Sequence, residues 1–114
     1  MAMKEIDLLQ GTLDLLILKT LSREPLHGYR IAARIQELSN EVLRIEEGSL
    51  YPALYRLEQK ALIQSEWGMT DNNRKAKFYK LTRKGRNEMD AESQSWDRLS
   101  RAVARVLKGI EQGA

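Results

Sequence analysis

The sequence predicts a mainly α, α+β domain: three helices, a two-stranded hairpin and a long closing helix, in that order. Apolar residues recur at helical spacing through most of the 114 residues, but switch to a period of two over a short stretch in the second half. A composition of 42% hydrophobic and 31% charged residues supplies one modest core and argues against disorder.

Each element has its own signal. Residues 12–22, TLDLLILKTLS, are leucine-rich on nearly every side and stop short of Pro25, which predicts a helix buried on most faces. From Gly28 to about residue 39, Ile31, Ile35 and Leu38 fall at i, i+4 and i+7, with Arg30, Arg34 and Glu37 outside that stripe. A third helix is expected over 49–60, opened by Gly48-Ser49, with Ser49 as its cap and Pro52 in its first turn. Leu50, Ala53, Leu54 and Leu57 make its buried stripe, and Tyr51 and Tyr55 a second one. In LIQSEWGMT, Ile63, Ser65 and Trp67 alternate with Gln64 and Glu66. KFYKLT alternates likewise, and TDNNRK between the two is rich in turn formers. Thr82 can then cap a helix over 83–111. Its Met89, Trp96, Leu99, Val103, Val106 and Ile110 follow a 3,4 spacing, with Glu92 in the remaining seam position.

Several classes of chemistry are excluded. With no cysteine and a single histidine, His27, the chain builds no disulfide, thiolate zinc site, iron–sulfur cluster or histidine-rich metal site, and no metal or cofactor is expected. It has no phosphate-binding glycine loop and no dinucleotide fingerprint. Glu46 and Glu47 are adjacent, so neither helix nor strand would aim both into one cleft. An enzyme is not expected. No apolar run approaches the roughly 20 residues that cross a bilayer, and the start MAMKEIDLLQ lacks a leader's design, so a soluble, cytoplasmic protein with no membrane partner is expected.

Charge points elsewhere. Arg74, Lys75, Lys77, Lys80, Arg83, Lys84 and Arg86 stand together with no acidic residue among them. That stretch carries +7 against a net charge of +3, so the rest of the chain carries −4. A basic segment on a slightly acidic body suits a polyanion. The order of elements is that of a winged helix-turn-helix followed by a dimerisation helix, divided at 1–82 and 83–114. The third helix buries its leucines and turns Ser49, Tyr51, Tyr55 and Arg56 toward a major groove. Arg74, Lys75 and Lys77 place the hairpin tip on the phosphate backbone, Tyr29 at the start of the second helix faces it too, and Ser49 sits where a helix N-terminus favours phosphate. His27 and Trp67 read as packing residues. Met89, Trp96, Leu99, Val103, Val106 and Ile110 form the dimer seam.

LLQGTLDLLILKTL at 8–21, HGYRIAARI at 27–35, EEGSLYPALYRLEQKALI at 46–63 and KFYKLTRKGR at 77–86 together resemble the PadR family of bacterial transcriptional regulators, in its compact subgroup with a single C-terminal helix. The resemblance implies a homodimer on a pseudo-palindromic DNA operator, usually a repressor, released in some members by a small molecule. Some relatives stack flat aromatic drugs between paired interface tryptophans, and Trp96 matches that position, so a small aromatic effector is a further expected partner. The family's wing is commonly rich in Gly and Arg; here TDNNRKAK has no glycine and includes Asp71. The rival reading from a different class is a winged helix that binds protein and not DNA.

Overall fold

A computed structural model describes residues 8–113; the opening residues read above as lacking a leader lie, up to position 7, outside them. The leucine-rich segment forms α1 (Gln10–Thr20) and is the hub, with Leu13, Ile17 and Leu18 buried. Against it pack α2 (Gly28–Leu38) through Ile31 and Ile35, and α3 (Glu47–Gln59) through Leu50, Ala53, Leu54 and Leu57. Removing each of these leucine and isoleucine side chains from water stabilises the fold by about 1.5–3 kcal/mol. Asn40 and Glu41, with φ of 54° and 67°, turn the chain between α2 and α3.

The hairpin is β2 (Ile63–Met69) paired antiparallel with β3 (Lys75–Leu81), in a register that sets Ile63 opposite Leu81 and Met69 opposite Lys75. Its turn is closed by the Thr70 N–H donating to the Arg74 carbonyl at 2.8 Å and the Asn73 N–H to the Thr70 carbonyl at 2.9 Å, with Asn73 at φ 62°. Asparagine tolerates that left-handed backbone, so this wing turns without glycine. A third strand, β1 (Leu26–His27), pairs with β3 and makes the sheet order β1-β3-β2. Two residues show no period, so the sequence predicts only the hairpin.

The third helix begins earlier than expected. Its flanking residue is Glu46, and Ser49 lies within the first turn, donating its backbone N–H to the Glu46 carbonyl at 3.0 Å and making no side-chain cap. Pro52 is therefore one turn further in than expected. The carbonyl it cannot serve belongs to Gly48, which is exposed, so water can take that bond.

The last helix, α4 (Arg83–Glu111), spans the expected residues, and at 1.5 Å per residue it is about 43 Å long. Thr82 caps it, its Oγ1 accepting from the Gly85 N–H at 2.9 Å while donating to the Ala61 carbonyl at 2.7 Å. Its first turns lie against α1 and the segment before β2: a Cβ on Gly85 would stand 2.0 Å from the Leu62 carbonyl oxygen. Met89 is 3% exposed, in the chain's own core. That corrects its placement on the dimer seam. One heptad later Trp96, Leu99, Val103, Val106 and Ile110 are all exposed, with Leu107 beside them.

Candidate nucleic-acid interface

Between the start of α2, the outer face of α3 and the wing runs an open groove of about 900 Å³. Tyr29 and Tyr51 line it from the helices, and Arg74, Lys75 and Lys77 from the wing. Three of the helix-turn-helix aromatics are unburied as expected: Tyr29 is 75% exposed, Tyr51 47% and Tyr55 65%. Tyr51 and Tyr55 share a face because they are four residues apart on a helix whose leucines occupy the opposite side. Tyr51 is seated by a glycine. A Cβ on Gly28 would stand 3.0 Å from its ring, tighter than ordinary contact, so the glycine lets the ring lie close against the start of α2.

Glu58 braces the wing against α3. It accepts from the Ser65 hydroxyl at 2.5 Å and pairs with the Lys77 ammonium at 3.7 Å. Beneath them Tyr79 is buried; burial first, then the Glu58 carboxylate and Tyr51, push its hydroxyl above the ordinary tyrosine value, and it stays neutral. His27 packs edge-on to Phe78, ring centroids 5.4 Å apart, and stacks with Tyr29 at 6.5 Å. The arrangement sets Tyr29, Tyr51 and a basic finger along one groove. It offers no catalytic constellation, and no group of three or more metal-ligating side chains stands together among the described residues.

The family model described as the transcriptional regulator PadR-like family matches residues 17–91. The chain belongs to that family. Among solved structures, it is similar to a PadR family transcription regulator from hypervirulent Clostridium difficile, at 30% identity and a TM-score of 0.74, over 85% of this chain and 99% of that one. It is equally similar to a PadR-like transcriptional regulator from Bacillus cereus, at 30% identity and a TM-score of 0.74, over 86% and 93% of the two chains. A transcriptional regulator of Mycobacterium tuberculosis is 37% identical over 68 residues, which are 60% of this chain and 63% of that one. The family consists of regulators and not enzymes, and no described helix is long and apolar enough to cross a membrane.

Within this PadR-like chain some expected site residues lie elsewhere. Arg56, expected to reach DNA, turns back to α1, where its Nη2 donates to the Asp14 carboxylate at 2.9 Å; its Nε is buried with no partner. It is turned about 100° around α3 from Tyr55, on the flank next to the buried Ala53, so it does not share the outward direction of Tyr55. Ser49 is exposed, but Glu46 and Glu47 stand beside it at the helix N-terminus, and their charge opposes the phosphate expected there. The +7 stretch also divides. Arg74, Lys75 and Lys77 border the groove, whereas Lys84 donates to the Lys60 carbonyl at 3.0 Å and Arg86 to the Ser22 carbonyl at 3.1 Å, tying α4 to the body.

One residue of the groove was misread. Trp67 was expected to pack, yet it is 65% exposed on the groove side of β2, with the Lys75 ammonium 5.5 Å from its ring centroid. The signal was available. Trp67 follows Ile63 and Ser65 on one face, but the hairpin has by then run past the core that buries Ile63.

Proposed function

We propose that this PadR-like regulator is a homodimeric, cytoplasmic repressor that binds a pseudo-palindromic duplex operator. The observation that carries the reading is the single groove that gathers Tyr29, Tyr51, Arg74, Lys75 and Lys77 from three separate elements. In it, α3 enters the major groove with Tyr51, Tyr55 and Ser49 toward the bases, while the wing cations and Tyr29 hold the backbone. Residues up to 82 read DNA, and α4 beyond Met89 joins two copies through Trp96, Leu99, Val103, Val106 and Ile110. An isologous pair of this kind matches a two-fold operator. The joined helices set the separation of the two reading heads. A flat aromatic effector held between the paired Trp96 side chains would change that separation and release DNA.

Selection of bound fragments from a random duplex pool tests this, followed by affinity across a salt series. The expected result is two half-sites in inverted order and a steep salt slope, about 0.9 in log–log terms for each phosphate neutralised. A flat slope with no enriched sequence would instead favour a winged helix that binds protein.

A further inference from the structure

We infer that Trp67 grips the sugar of the DNA backbone: its indole lies against a deoxyribose whose phosphate is taken by Lys75. The inference rests on the duplex reading of the groove and adds to it a contact that does not depend on charge.

The face of the hairpin that bears Trp67 changes character along its length. At the root, Ile63 pairs with Leu81 and Ser65 with the buried Tyr79, against α3. One step further Trp67 pairs with Lys77, and then Met69 with Lys75. Trp67 and Met69 are both exposed, so the apolar side of this face continues beyond any described residue that covers it. Lone exposed apolar residues are ordinary on any surface. Here the indole is one wall of the groove that Tyr29 and Tyr51 also line, and a lysine ammonium stands over it.

An indole beside an ammonium is a surface with an apolar plane and a positive edge. A nucleotide of duplex backbone presents the matching pair, the C–H face of a deoxyribose next to a phosphate oxygen. The bases of a duplex are stacked away from a wing that lies along its backbone, so the sugar is the apolar surface within reach. Every nucleotide offers that same pair, and the contact therefore strengthens binding to all duplexes alike.

The test compares wild type, Trp67→Ala and Lys75→Ala on a selected operator and on a random duplex, each across a salt series. Trp67→Ala is expected to weaken both complexes by the same factor, about tenfold, which corresponds to about 1.4 kcal/mol, with an unchanged salt slope. Lys75→Ala is expected to lower the slope by about 0.9. Unchanged affinity in Trp67→Ala overturns the inference while leaving the duplex reading intact. So does a slope reduced by a whole phosphate, since Trp67 would then act only by holding Lys75. Wild-type protein that ignores duplex DNA overturns both. Indole emission gives an independent readout: the change on adding duplex is expected to vanish in Trp67→Phe, and its persistence there would assign the change to Trp96 and overturn the contact.

Discussion

The two ends of α4 share one helix and one apolar period, yet they meet different surroundings. Near its start Gly85 and Met89 are buried against the chain's own body. From Trp96 to Ile110 the same seam is exposed. Periodicity identifies a face but not what covers it, and the change from buried to exposed falls between Met89 and Trp96, where the helix leaves the body. The sharpest way to break this contrast is at its buried end. Alanine in place of an interior helical glycine ordinarily stabilises by roughly 0.5–1 kcal/mol. At Gly85 the added Cβ would meet the Leu62 carbonyl at 2.0 Å, and backbone cannot step aside as a side chain can. Gly85→Ala is therefore expected to reverse that sign and unfold the winged body at temperatures where wild type is folded. An unchanged melting temperature would show that the start of α4 is not locked to the body. Met89→Ala should follow at about 2–5 kcal/mol, the usual cost of a large-to-small change in a core. Its loss should be the same at every protein concentration; a loss that grows as concentration rises would return Met89 to the seam.

The exposed end should behave in the opposite way. Leu99→Asp combined with Val103→Asp changes residues that touch nothing in the chain's own core. The variant should keep the far-ultraviolet circular dichroism of a folded winged body and sediment as a monomer. It should also bind an operator far more weakly than wild type, because two tethered reading heads become two independent ones. A variant that still sediments as a dimer would move the interface away from this half of α4.

The same distinction explains how much of the molecule was legible in its sequence. The amphipathic helices and the hairpin were, because each buries one periodic face against a neighbouring element, and local spacing encodes that face. The aromatic and basic sides of the groove were legible for the same reason, as what remains when the leucine stripe of α3 is assigned inward. Contacts between distant positions were not. Asp14 and Arg56 are 42 residues apart, and although α3's spacing turns Arg56 away from the tyrosine face, nothing in it names the Asp14 carboxylate as its partner. Lys84 and Arg86 counted toward the basic stretch, but their ammonium and guanidinium groups meet backbone carbonyls, which no side-chain pattern announces. Trp67 shows the reverse error. Its alternation with Ile63 was real, but alternation fixes the side of a strand and says nothing about where the core beneath it ends.

The smallest expected effect lies at the far end of α4. A Cβ on Gly109 would find no heavy atom within 4 Å, and its φ is not in the left-handed region. Gly109→Ala should therefore stabilise by no more than roughly 0.5–1 kcal/mol, and less if the last turn frays. Differential scanning calorimetry at two protein concentrations measures it. The residue stands next to Ile110 on the proposed seam, so the sign of the change is informative beyond its size. A gain that is equal at both concentrations means that the paired helices leave room beside Gly109. A loss that fades on dilution means that the partner's backbone crosses there, at a distance only glycine permits, and the dimer would then be held by close helix crossing at its tip as well as by the larger side chains nearer the body.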